Sequence, residues 1–227
     1  MTDQRLREIE RRWKETGAVE DESAWLQAKV QAGLVSQARL RGLAALGYPA
    51  ATRLQQVPDP HPLELPGLDE PGNTWDVFCG WFSALEQIDP GSLVAAGVVL
   101  GELLLPICEP DAYEGDLAKM LDLLRQALPE TDGPNFSRLV LEEMEPRIQE
   151  INEIECALDS GSIMPDERNA ARALTWVGLE FTSAERSDWL GNAAMGLDIS
   201  SEEFFTPREI ADVLRDRMPP LLLGYER

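Results

Sequence analysis

The chain has 227 residues, 44% of them hydrophobic with six Trp, which is enough to bury a sizeable core without disulfide or metal staples. Its formal charge is −21, and the acidity is regional: residues 1–57 hold nine basic and seven acidic side chains, residues 58–227 eleven basic and 34 acidic. A field of that sign repels phosphate backbones and anionic lipid surfaces and attracts cationic partners, so nucleic acid and membrane surfaces are not expected partners.

In chain order, residues 3–15 place Leu6, Ile9 and Trp13 on one face, with Gly17 at the position of a carboxyl-terminal cap. Glu20-Asp21-Glu22 suit the positive end of a second helix, whose apolar positions Trp25, Leu26 and Val30 run toward Gly33. Residues 36–46 and 49–56 read as two short helices, the latter with Pro49 at its first position. Five prolines in residues 57–73 deny that stretch a regular period and mark a junction where the charge also changes. The expected organisation is a helical module at 1–56, a proline-rich linker at 57–73 and an acidic helical domain at 74–227.

Beyond the junction, residues 74–88 carry Trp75, Phe78, Trp81 and Phe82, a cluster read as core because aromatic side chains dominate burial. The apolar run Leu93–Cys108 is 16 residues, contains Glu102 and is too short for a membrane span of about 20, so it predicts a buried helix. Residues 112–128 are amphipathic, 135–158 predict a long helix that Pro146 kinks or interrupts, and Thr182 with Glu185 fits a capping box. Thr206, Pro207 and Glu209 form a second one, followed by Ile210, Val213, Leu214 and Met218 at helical spacing and by Pro219-Pro220, which predict the stop. No confident strand occurs. The fold class is therefore all-α, an irregular multi-helix bundle, with a short helical-repeat-like α-solenoid as the second reading.

Few residues of the sequence form a chemical motif. His61, the single histidine, stands between Pro60 and Pro62, which makes a histidine-based triad, zinc site or di-iron site hard to build. Cys79, Cys108 and Cys156 fit neither a disulfide framework nor a CxxC site and read as reduced core thiols of a cytoplasmic protein. EF-hand spacing fails from Glu109 and from Asp159, and the glycine-rich nucleotide and serine-hydrolase motifs do not occur. No catalytic residue, metal ligand or cofactor is expected. The basic residues Arg5, Arg7, Arg11, Arg12 and Lys14 alternate with Asp3, Glu8, Glu10 and Glu15, which predicts pairing along one helix. Two acidic groups remain as candidate partner-binding residues: Glu142, Glu145 and Glu153 on part of one helix side, and Asp111, Glu114 and Asp116.

The amino-terminal segment RLREIERRWKETGAVEDESAWLQAKVQAGLVSQARLRGLAALGYPAA carries a resemblance through Arg12-Trp13, Thr16-Gly17, Glu20-Asp21-Glu22, Ala32-Gly33-Leu34 and Leu43-Ala44-Ala45-Leu46-Gly47 with Pro49-Ala50-Ala51. It resembles a helical module of expanded bacterial protein families, and covers about a fifth of the chain. Some proteins of this layout resemble acidic immunity proteins, which neutralise a toxin made by the same cell or its kin. The resemblance implies no catalytic residues. The leading expectation is a non-enzymatic, cytoplasmic, acidic protein-binding module, an immunity or inhibitor protein with a basic protein partner. A helical scaffold or adaptor in a regulatory or defence assembly is the alternative, and an enzyme with a carboxylate-only or divalent-metal site the third reading.

Overall fold

A computed structural model describes residues 3–55, 74–107, 116–128, 146, 191–194 and 205–224. These residues contain helices and no strand, so the fold is all-α. Eight helices are described: α1 (Asp3–Thr16), α2 (Val19–Gln31), α3 (Gln37–Ala45), α4 (Pro49–Gln55), α5 (Thr74–Ile88), α6 (Gly91–Leu104), α7 (Asp116–Ala127) and α8 (Pro207–Leu223). Residues 191–194 and Pro146 are also helical. The linker 57–73, His61, Cys108, Cys156 and the capping pair Thr182 and Glu185 lie outside the described residues.

The amino-terminal helices form a connected series, α1 against α2, α2 against α4 and α4 against α3. Small residues make the middle of it close. Ala50 and Ala51 of α4 are fully buried, and the Ala50 carbonyl accepts a hydrogen bond of 3.0 Å from Ser23 Oγ of α2. Tyr48, buried just ahead of α4, donates its hydroxyl to the buried carboxylate of Glu22, which satisfies two polar groups that would each be costly inside if left unpaired. Along α1 the expected self-pairing is seen in Lys14 to Glu10 at 2.9 Å and Arg11 to Glu15 at 3.7 Å, while Arg12 reaches Asp21 of α2 at 2.8 Å.

The apolar run is the axis of the body. In α6, every residue from Gly91 to Gly101, and Leu104, is buried, as a helix that is hydrophobic all round must be. It meets α5, α7, α8 and α3. Phe78, Trp81 and Phe82 of α5 are core residues as expected, with Trp81 and Phe82 edge to face at 5.4 Å. One continuous apolar cluster includes Trp25, Leu26 and Leu43 before the proline-rich stretch and Phe82, Leu100 and Leu214 after it. Helix α6 is a core helix, and no helix among the described residues is long and apolar enough to cross a membrane.

Gly191 marks a close approach to α5. A Cβ built on it would lie 2.2 Å from Cys79 Sγ, so this backbone and the half-buried thiol fit only while the position has no side chain. Gly191→Ala is expected to destabilise the protein by about 1–3 kcal/mol through overpacking, despite the better helix propensity of Ala. Adding Cys79→Ala should restore most of that loss, because the remaining contacts are 3.3 and 3.4 Å. Urea denaturation of the two variants checks this, and an unchanged loss in the double variant would place the strain elsewhere.

The capping box of α8 forms as the sequence predicts. The Thr206 hydroxyl accepts from the Glu209 backbone N–H at 3.3 Å, and the Glu209 carboxylate accepts from the Thr206 backbone N–H at 2.7 Å and its hydroxyl at 2.8 Å. The Thr206 backbone hydrogen bond first, then its hydroxyl, hold the Glu209 carboxyl below the usual glutamate range. A carboxylate whose pKa is lowered by folding stabilises the protein above its unfolded pKa, and that contribution disappears as pH falls through the folded value. Thr206→Ala is expected to cost about 1 kcal/mol at neutral pH, and the difference from wild type should shrink under acid in thermal melts taken from neutral to acidic pH.

Candidate functional site

The six acidic residues expected to bind a partner are not brought together by described side chains. Glu142, Glu145, Glu153, Asp111 and Glu114 lie outside the described residues, and Asp116 is described only as the first residue of α7. The described polar centre is another one, built around the carboxyl end of α8.

Ser36 caps α3 by accepting from the Arg39 backbone N–H at 3.0 Å. That places the Arg39 side chain in the first turn of the helix, where the macrodipole disfavours a cation. Two acceptors from other elements compensate. Arg39 Nε lies 2.7 Å from Asp89 Oδ2 in the turn between α5 and α6, and Arg39 Nη1 donates to the Leu222 carbonyl near the end of α8 at 3.1 Å. Asp89 is fully buried and also accepts from Ser92 Oγ at 3.1 Å, while its Oδ1 has no hydrogen-bond partner among the described residues. The turn can approach α3 because residue 42 is glycine: a Cβ there would lie 2.9 Å from Asp89 Cβ and 3.0 Å from Ser92 Oγ.

Lys29 of α2 supplies a second cation. Its Nζ donates to the Leu223 carbonyl at 3.1 Å and lies 4.2 Å over the ring of Trp25, which stacks on Trp13 at 4.5 Å. Burial is the main cause of a lowered Lys29 pKa; Glu10 acts to raise it and Lys14 to lower it further. Because the native state holds this proton less tightly than the unfolded chain, the Lys29 contribution to stability rises with pH through the window below the ordinary lysine value.

The cap of α8 is thereby complete. An α-helix leaves its last four carbonyls without intrahelical donors. Here Gly224, at φ 69°, gives its N–H to the carbonyls of Pro220 and Leu221, and Arg39 and Lys29 serve Leu222 and Leu223. Two cations at a helix carboxyl end also suit its macrodipole. This arrangement corrects one expectation: Pro219-Pro220 do not stop α8, which continues to Leu223, with Leu222 and Leu223 buried.

A second charged node sits at the other end of α6. Glu102, in the last turn of that helix, accepts from Arg125 of α7 at 2.9 Å and pairs with Arg217 of α8, while Arg125 also reaches Asp122 at 2.7 Å. The sequence identified Glu102 only as an interruption of an apolar run. Arg39, Lys29 and Asp89 received no role. The available signal was electrostatic: Arg39 at a helix start and Glu102 at a helix end both oppose the local dipole, and such a departure marks a residue serving a tertiary contact.

Chemically, both nodes fix helices. The Asp89 carboxylate is buried against a guanidinium, which suits a positioning role. Among the described residues, no group of three or more His, Cys, Asp or Glu side chains is arranged to hold a metal ion. No family model matches the chain, and neither a curated protein nor a solved structure matches it significantly.

Arg39→Met should leave the buried Asp89 charge uncompensated and cost about 3–5 kcal/mol. Adding Asp89→Asn should recover part of that loss. A double-mutant cycle by urea denaturation measures the coupling, and strictly additive losses would show that the pair contributes nothing to stability.

Proposed function

We propose that this protein is a non-enzymatic binding module whose acidic region beyond residue 57 engages a basic surface of a partner protein, in the manner of an immunity or inhibitor protein. The supporting observation is the segregation of charge, net −23 over residues 58–227 from eleven basic and 34 acidic side chains. The fold adds to it from the positive side. Arg11, Arg12, Lys14, Arg53, Arg125 and Arg217 are paired with carboxylates of the chain itself, and Arg39 and Lys29 hold the end of α8. Cations engaged in this way are poorly placed to form a phosphate-binding face, and the formal charge of −21 makes the long-range field anionic.

Charge of this kind accelerates encounter and selects a partner of opposite sign more than it adds affinity. The resemblance of the amino-terminal segment to modules of bacterial proteins supports a toxin as the class of partner. The scaffold or adaptor alternative, which would need an apolar groove, loses the aromatic residues of α5 as a platform, because Phe78, Trp81 and Phe82 are buried in the core.

The test is to express basic proteins encoded by the flanking genes and measure their association kinetics with the full chain. For the cognate partner, the on-rate should fall by about tenfold or more as salt is raised well above physiological strength, where screening acts over less than about 8 Å. Charge reversal at Glu142, Glu145 and Glu153, or at Asp111, Glu114 and Asp116, should slow association without unfolding the protein. Binding indifferent to salt and to both reversals would overturn the charge-steered mechanism and favour a scaffold or adaptor.

A further inference from the structure

The last turn of α8 is held from outside the helix. Pro219 and Pro220 lie within it, and neither has an N–H, so the intrahelical bonds that would close on the carbonyls of residues 215 and 216 are not made. Upstream, Ile210, Ala211, Leu214 and Met218 are buried and the helix packs on α6. Downstream, the Leu222 and Leu223 carbonyls are gripped by Arg39 of α3 and Lys29 of α2, and the side chains of both leucines are buried. A double proline thus separates a segment anchored by apolar packing on α6 from one whose carbonyls are anchored by two long cationic side chains of the amino-terminal helices.

We propose that the terminal turn of α8 is a strap, hinged at Pro219-Pro220 and latched by Lys29 and Arg39, that opens as a unit while Ile210 to Met218 remain docked on α6. The missing backbone bonds make the double proline the weakest point of the helix ladder, so local opening breaks there first. Opening exposes Leu222 and Leu223 and releases the Lys29 ammonium and one Arg39 N–H, while Arg39 stays paired with Asp89. The seat so uncovered fits what it holds at rest, the carboxyl end of a helix with apolar residues in its last turn. The strap lies within residues 58–227, but its opening involves none of the six carboxylates proposed to bind a partner.

Native-state hydrogen exchange on the full chain tests it. The amides of Leu221 to Gly224 should exchange about tenfold or more faster than those of Ile210 to Met218. Lys29→Gln, which removes one latch and leaves the Arg39–Asp89 pair intact, should speed exchange in the terminal turn by roughly tenfold and leave Ile210 to Met218 unchanged. Pro220→Ala, which restores one backbone donor, should slow terminal-turn exchange by roughly tenfold. The strap is overturned if Leu221 to Gly224 exchange together with the rest of α8 in the unaltered protein, or if neither substitution shifts their rates relative to Ile210 to Met218.

Discussion

The helices of this protein are tied together where α8 ends against α2 and α3. Four carbonyls at the end of a helix must find donors, and the double proline at the start of this last turn also removes two of the backbone bonds that would tie the turn to the one before it. The solution is tertiary. Lys29 and Arg39 reach from two amino-terminal helices to the last two carbonyls, and Arg39 simultaneously neutralises Asp89 in the turn that launches the apolar helix α6. One guanidinium therefore sets the relation of α3, the α5–α6 turn and α8, and Gly42 permits the approach that brings the turn within its reach.

Around that node the energetics divide by depth. Burial of α6 against α5, α7, α8 and α3 supplies the non-directional stabilisation of the body. Direction comes from a few polar contacts. Asp89 with Arg39 and Glu22 with Tyr48 are buried, and in such surroundings loss of one partner costs far more than the intact pair contributes. Glu102 with Arg125 and Arg217 is more exposed, so its role is to favour one arrangement of α6, α7 and α8 more than to add much stability.

The functional reading follows from what these contacts leave over. Several cations are drawn into the fold, onto helix ends and against neighbouring carboxylates, while the chain as a whole remains strongly negative. Solubility alone would be served by interspersed charges. A strong net negative charge acts on the rate and selectivity of encounter with a cationic partner. The α8 terminus adds a second feature of different chemistry, a cationic seat for the carboxyl end of a helix.

Much of this fold could be read from local rules. The amphipathic spacing of Leu6, Ile9 and Trp13, the proline at the start of α4, the capping box of Thr206 and Glu209, and the uninterrupted apolar character of α6 each depend on residues within a few positions of one another, so the sequence alone determined the helices and the burial of α6. The path of α8 beyond Pro219-Pro220 was decided elsewhere. Local propensity ends a helix there, but carbonyls satisfied from residues 29 and 39 and the burial of two leucines outweigh it. Arg39, Asp89 and Glu102 acquire their roles in the same way, because ion pairs joining residues dozens of positions apart have no periodicity to detect. The tertiary structure alone decided which charges face inward, since that choice is made by whichever helices happen to meet.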